Sequence, residues 1–273
     1  MCAIVFGGIA PHPPILVPEV GGDRVSEVAA TTRGMEALTR ELAEARPEAL
    51  LLVSPHGDAH RQAMGVLTAG SSSGNFVSWG ARGLDFSYEN DLALVDALRE
   101  EAKQAGVPLK PIGEDGYDLD WGVLVPMYFL DRAAQGATLT PLTFSGLPLT
   151  AHLEFGRAIQ RAATRLGRRV ALIASGDLSH RLLPGAPAGY DPKGQVFDRK
   201  LVDALRANDR QAVLDLDPDL VARAGECGLR SIVILLGALE GLQVEPKVIS
   251  YEGPFGVGYL VASFRVGAAQ AVE

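Results

Sequence analysis

Cysteine is scarce in this 273-residue chain, which holds only Cys2 and Cys227. A lone pair in a chain of this length builds no disulfide framework and points to a reducing compartment, so the cytoplasm is the expected location. Basic residues are the minority charge, 25 against 33 acidic, and the net charge of -8 repels polyanions. That excludes nucleic acid and anionic membrane surfaces as natural partners. Long apolar runs are missing as well. The longest, Ile232 to Leu236 with its small neighbours, falls far below the roughly 20 residues of a membrane helix, and the N-terminal MCAIVFGGIAPHPP lacks the basic region of a signal peptide. Repeats and low-complexity linkers are absent, since SSSG at 71–74 and PGAPAG at 184–189 are loop signals only. The 47% hydrophobic content is therefore expected to build one core in a single domain spanning 1–273.

What is present is an alternation of short apolar runs with longer amphipathic stretches. AIVFGGIA at 3–10, ALLLVS at 49–54 and VALIAS at 170–175 read as strands, and the stretches near 23–45, 90–105, 149–166, 193–207 and 227–240 read as helices. VEPKVISYE at 244–252 and VGYLVASFRV at 257–266 read as two strands joined by a GPFG turn and hence antiparallel. The expected fold is α/β, a central mixed sheet flanked by helices on both faces, because the continuous apolar runs have no polar face to offer solvent.

Histidine is rare, and the placement of its five copies is informative. AIVFGGIA runs into Pro11-His12-Pro13-Pro14, ALLLVS into Pro55-His56-Gly57-Asp58-Ala59-His60, and VALIAS into Gly176-Asp177-Leu178-Ser179-His180. Open α/β sheets bind ligands outside the carboxyl ends of their strands, so three such segments are expected to converge on one pocket. Imidazole is the commonest ligand of divalent transition metals, and two imidazoles with one carboxylate leave positions open on Fe(II). Glu226 is the candidate carboxylate. It opens an apolar helical run, where a glutamate serves either a cation or simply the helix dipole. Its neighbour Cys227 reads either as a reactive thiol at a helix start or as a buried structural cysteine. Asp58 and Asp177 either orient ligand imidazoles or cap local turns. His60 stands in reserve behind the ligands. His152 opens an amphipathic helix away from the strand ends and reads as a surface or capping residue. Tyr251, Phe255 and Tyr259 read as core residues or as an aromatic wall to the pocket.

PHPP at 11–14, SPHGDAH at 54–60, ASGDLSH at 174–180, GECGLRS at 225–231 and SYEGPFGVGY at 250–259 together resemble the class III extradiol dioxygenase (LigB-like) superfamily, and most closely its Memo-like branch. The resemblance covers nearly the whole chain. It implies an oxidoreductase in which His12, His56 and Glu226 ligate Fe(II), His180 is the catalytic acid/base, and a small catechol-like aromatic and O2 are the substrates. The dioxygenase branch carries a histidine where this chain has Trp121, and indole N–H can donate but not accept a proton. The Memo-like branch carries a cysteine at the start of the late helix, matched here by Cys227, and implies iron or copper binding for a redox, radical-enzyme accessory or metal-handling role without ring cleavage. A zinc hydrolase is the third use the same ligands permit. A homodimer is expected on frequency alone.

Overall fold

Consecutive rather than alternating apolar residues form the centre of the sheet. The structure, a computed structural model, describes residues 3–113 and 116–267; Cys2 lies outside the described residues. Along the chain run β1 (Ile4–Ala10), α1 (Pro18–Gly21), α2 (Ala29–Ala45), β2 (Ala49–Ser54), β3 (Met64–Leu67), β4 (Ser71–Asn75), β5 (Asp85–Glu89), α3 (Leu92–Gln104), β6 (Leu109–Ile112), α4 (Trp121–Leu130), β7 (Thr138–Thr143), α5 (Leu149–Leu166), β8 (Val170–Ser175), α6 (Pro192–Arg206), α7 (Arg210–Leu214), α8 (Pro218–Ala224), α9 (Leu229–Ala238), β9 (Val244–Glu252) and β10 (Tyr259–Val266). β2 and β8 are buried at every residue. A fully buried Leu, Ile or Val contributes roughly 1.5–3 kcal/mol, so a charge at Leu51 or Leu172 would undo the centre of the fold.

Among the described residues one eight-stranded sheet has the order β6-β3-β7-β2-β8-β1-β10-β9. Its four central strands, β7, β2, β8 and β1, are mutually parallel, while β10 and β9 continue the sheet antiparallel on one side and β3 joins antiparallel on the other. The sheet is mixed, as the sequence leads one to expect. A separate hairpin pairs β4 with β5. One face carries a core that includes Leu98 of α3, Phe155 and Ile159 of α5, and Ile232 and Leu235 of α9. The other carries Leu38 and Leu42 of α2 with Val123 and Met127 of α4.

Local chemistry sets the helix boundaries. Asp91, Asp120 and Asp191 cap α3, α4 and α6 by accepting backbone N–H groups of Leu94, Gly122 and Lys193, each cap worth about 1 kcal/mol. α5 ends at Gly167, whose φ of +63° belongs to the left-handed region that glycine enters freely. Two elements escape a reading by periodicity. α4 is buried nearly all round and contains Pro126, so its sequence WGVLVPMYFL shows no polar face. β7 carries Pro141 inside a strand flanked on both sides, where a missing N–H argues against a strand. No helix among the described residues is long and apolar enough to cross a membrane.

Candidate metal centre

Parallel pairing brings the histidines together. Ala10 of β1 lies opposite Ser175 of β8, and Val53 of β2 lies opposite Ala174, so the three strands finish at the same level. The segments that follow leave from one edge. His12 and His56 turn their Nε2 atoms toward each other at 2.9 Å, with ring centroids 4.7 Å apart and nearly perpendicular. The Cys227 Sγ stands 3.7 Å from the His12 Nε2. Donor atoms of these three residues all fall within 4.8 Å of one another.

Cys227 reaches the histidines because two backbones touch. A Cβ on Gly176 would lie 2.2 Å from the Gly228 Cα, so only glycine lets the loop after β8 meet the start of α9. Asp177 and Cys227 then lock reciprocally: the Cys227 N–H donates to the Asp177 carbonyl at 3.2 Å, and the Asp177 N–H donates to the thiol sulfur at 3.3 Å. Glu226 points elsewhere. Its Oε2 accepts the Leu229 N–H at 2.6 Å, which places the carboxylate on the first turn of α9, where it meets the helix dipole. Of the two adjacent candidates, the structure puts the thiol rather than the carboxylate among the histidines.

Each ligand candidate is held from behind. The His12 Nδ1 faces the Ser175 hydroxyl at 3.0 Å, and its backbone N–H donates to the Asp177 Oδ1 at 3.0 Å. Asp177 therefore fixes the His12 backbone, with its Oδ2 3.9 Å from the His12 Nε2, while the imidazole's second nitrogen belongs to Ser175. His56 is braced on one face by Trp121, stacked with centroids 4.2 Å apart at 26°, and Trp79 meets Trp121 edge-on at 6.0 Å. The His56 N–H donates to the Ser54 hydroxyl, which donates to Asp120, the cap of α4. The His180 Nδ1–H donates to the Leu178 carbonyl at 3.0 Å, which leaves Nε2 as the ring nitrogen available for proton exchange.

Burial governs the electrostatics. It lowers the pKa of His12 to about 3 and that of His56 to about 4, with the charge of His180 adding to both and that of His12 to His56. Both imidazoles are thus neutral at pH 7 and offer lone pairs. Burial also raises Asp177 to about 6, against the opposing pull of the His12 N–H and the His180 charge, and raises the Cys227 thiol well above its ordinary value, with Asp177 and Glu226 reinforcing it. Two neutral imidazoles and a thiol crowded together suit a borderline or soft cation, which would take the facing lone pairs and stabilise the thiolate.

The remaining sequence candidates do not join this group of donor atoms. Asp58 is exposed, and its carbonyl accepts the Thr143 hydroxyl. His60 bridges to Ser145, with its Nε2 buried without a hydrogen-bond partner. His152, expected as a surface or capping residue, is fully buried and not at the surface, its Nδ1 facing the Pro148 carbonyl and its Nε2 accepting the Ser145 N–H at the start of α5. Tyr259 is buried, whereas Tyr251 is partly exposed and donates to Asp198. Sequence reasoning missed Ser175, Ser54 and Asp120. Serine or aspartate at a strand end or before a helix is common, and only the fold shows which of them faces a ligand.

The chain belongs to the LigB family: residues 8–262 match the family described as the catalytic LigB subunit of aromatic ring-opening dioxygenase. Protein CA_C1420 of Clostridium acetobutylicum is 34% identical over 259 residues, which cover 92% of this chain and 55% of that protein, so the chain spans about half the length of this relative. The 2-aminophenol 1,6-dioxygenase beta subunit of a Pseudomonas species is 24% identical over 290 residues, covering 96% of this chain and 94% of that subunit. An uncharacterised protein of Escherichia coli K12 shares the fold, with a TM-score of 0.59 at 21% identity over 95% of this chain and 99% of its own.

Proposed function

We propose that this chain is a metal-dependent redox protein, with His12, His56 and Cys227 holding an iron or copper ion and His180 moving protons beside it. The observation that carries the reading is the gathering of two neutral imidazoles and one thiol within 4.8 Å at the carboxyl edge of the sheet. A bound iron or copper ion would supply a one-electron couple and open positions for small molecules. The chain's own groups do the rest. Ser175 and Trp121 fix the two imidazoles, and the Cys227–Asp177 lock sets the sulfur. The His180 Nε2 is free to take a proton from a bound hydroxyl and return it, a general acid/base role worth about 10²–10⁴-fold.

The family and the aminophenol dioxygenase relative favour a second reading, extradiol cleavage of a small catechol-like aromatic by O2, with Fe(II) on His12, His56 and Glu226. Anaerobic titration with Fe(II), Cu(I) and Zn(II), on Cys227→Ser and Glu226→Gln variants, separates the two. Loss of tight binding and of a sulfur-to-metal absorption band in Cys227→Ser alone supports the thiolate centre. Loss in Glu226→Gln alone, together with O2 uptake on catechols that His180→Ala abolishes, establishes the ring-cleavage reading instead.

A further inference from the structure

Glu226 and Cys227 face different compartments. Cys227 looks toward the histidines, while Glu226 lines a separate cavity of about 610 Å³ between α8, the start of α9 and the segment 146–149 that leads into α5. None of His12, His56, Cys227 or His180 lines that cavity. Its walls are apolar, formed chiefly by Leu147, Leu149, Leu216, Val221 and Leu229, and one cation, Arg230, enters it. The Arg230 Nε is buried without a hydrogen-bond partner, and the guanidinium lies over the Phe144 ring at 5.9 Å. Among the described residues it forms no ion pair; its charge acts at longer range on Glu226, whose carboxylate is engaged by the Leu229 N–H.

We propose that this cavity is a second ligand site, distinct from the metal centre, and that it takes a small apolar carboxylate whose anionic end pairs with Arg230. The volume falls in the range of small-molecule sites, about 300–1,000 Å³, and apolar walls with a few placed polar groups, here Arg230 and the Glu226 already engaged by the Leu229 N–H, are their usual composition. A buried guanidinium donor without an acceptor is costly, and a carboxylate satisfies it with the strongest pairing available to arginine. The apolar remainder of the ligand then covers Leu147, Val221 and Leu229. Because the cavity and the centre share the peptide between residues 226 and 227, an occupant bears on the segment that carries the thiol.

Calorimetric titration with 3-phenylpropanoate and with 3-phenylpropanol tests the assignment without reference to activity or to the metal. The acid is expected to bind about 10- to 100-fold more tightly than the alcohol, the gain from one charge-assisted pair. Arg230→Met should erase that preference and Arg230→Lys retain part of it. Ala222→Trp, which adds bulk at an exposed residue of the cavity rim, should weaken both compounds. His56→Ala serves as the control for the centre and should bind the acid as the unaltered chain does. Equal affinity for acid and alcohol overturns the proposal, and so does acid binding that survives Arg230→Met but disappears in His56→Ala.

Discussion

His12 and His152 are the same side chain, both buried, in two regions with opposite uses for it. At the start of α5, both ring nitrogens of His152 meet backbone groups, the Pro148 carbonyl and the Ser145 N–H. Every valence is answered, and the residue closes the turn before the helix. After β1, the His12 Nδ1 meets a hydroxyl, but its Nε2 faces His56 and Cys227, with the Asp177 Oδ2 3.9 Å away, all groups that change protonation or bind cations. Burial lowers the pKa of both histidines. What separates His152 from His12, the proposed ligand, is therefore the identity of its partners, since burial is common to the two.

The sharpest way to break this comparison is to delete each ring in turn. His12→Ala is expected to lower metal affinity more than about 100-fold, since even the outer partners of metal-bound imidazoles are worth about 10–100-fold. His152→Asn should leave metal affinity intact and cost about 2 kcal/mol in urea unfolding through lost packing and hydrogen bonds. Equal loss of metal binding in both variants would remove the distinction. Next comes the contact that delivers Cys227: Gly176→Ala should destabilise the fold by about 3 kcal/mol, because its Cβ meets the backbone of Gly228 and cannot be accommodated by a rotamer change. The same variant should weaken metal binding, a coupled loss absent from His152→Asn.

A buried carboxylate extends the comparison to pH. Asp198 accepts the Ser179 N–H and the Tyr251 hydroxyl, yet burial outweighs both and raises its pKa from 3.8 to about 6, aided by the Glu226 charge. The folded state holds the proton more tightly than the unfolded one, so this stabilisation is complete below about pH 4 and is lost as pH rises through about 6. Its full extent is about 3 kcal/mol. Asp198→Asn should flatten the unfolding free energy across that window, and an unchanged profile would show that Asp198 titrates normally. The smallest effect belongs to the surface: Arg265→Ala removes an exposed pair with Glu44 at 3.0 Å and should change stability by less than about 1 kcal/mol.

Much of this arrangement was legible in the sequence. β1, β2 and β8 announce themselves as uninterrupted apolar runs, and histidines just beyond them mark the carboxyl edge before any pairing is known. Periodicity found α3, α5 and α6 because each keeps one polar face. It could not find α4, which has none, or β7, whose Pro141 argues against a strand. The choice between Glu226 and Cys227 was equally closed to it. Which of the two neighbours faces the histidines depends on Gly176 meeting Gly228 across 52 positions of chain, a contact with no local signature. The burial of His152 was hidden for a related reason, since its partners are backbone groups that every residue possesses.

The reciprocal bonds between Asp177 and Cys227, like the register of β1, β8 and β2, are made by the chain's own backbone and side-chain groups. Donor atoms carried on so large an apolar core are expected to be placed before a guest binds, in contrast to small zinc modules that collapse only around their metal. Loading and stripping can then proceed on an intact molecule. On the proposed reading, which element occupies the centre is a question of exchange and supply in the cell, settled after folding rather than during it.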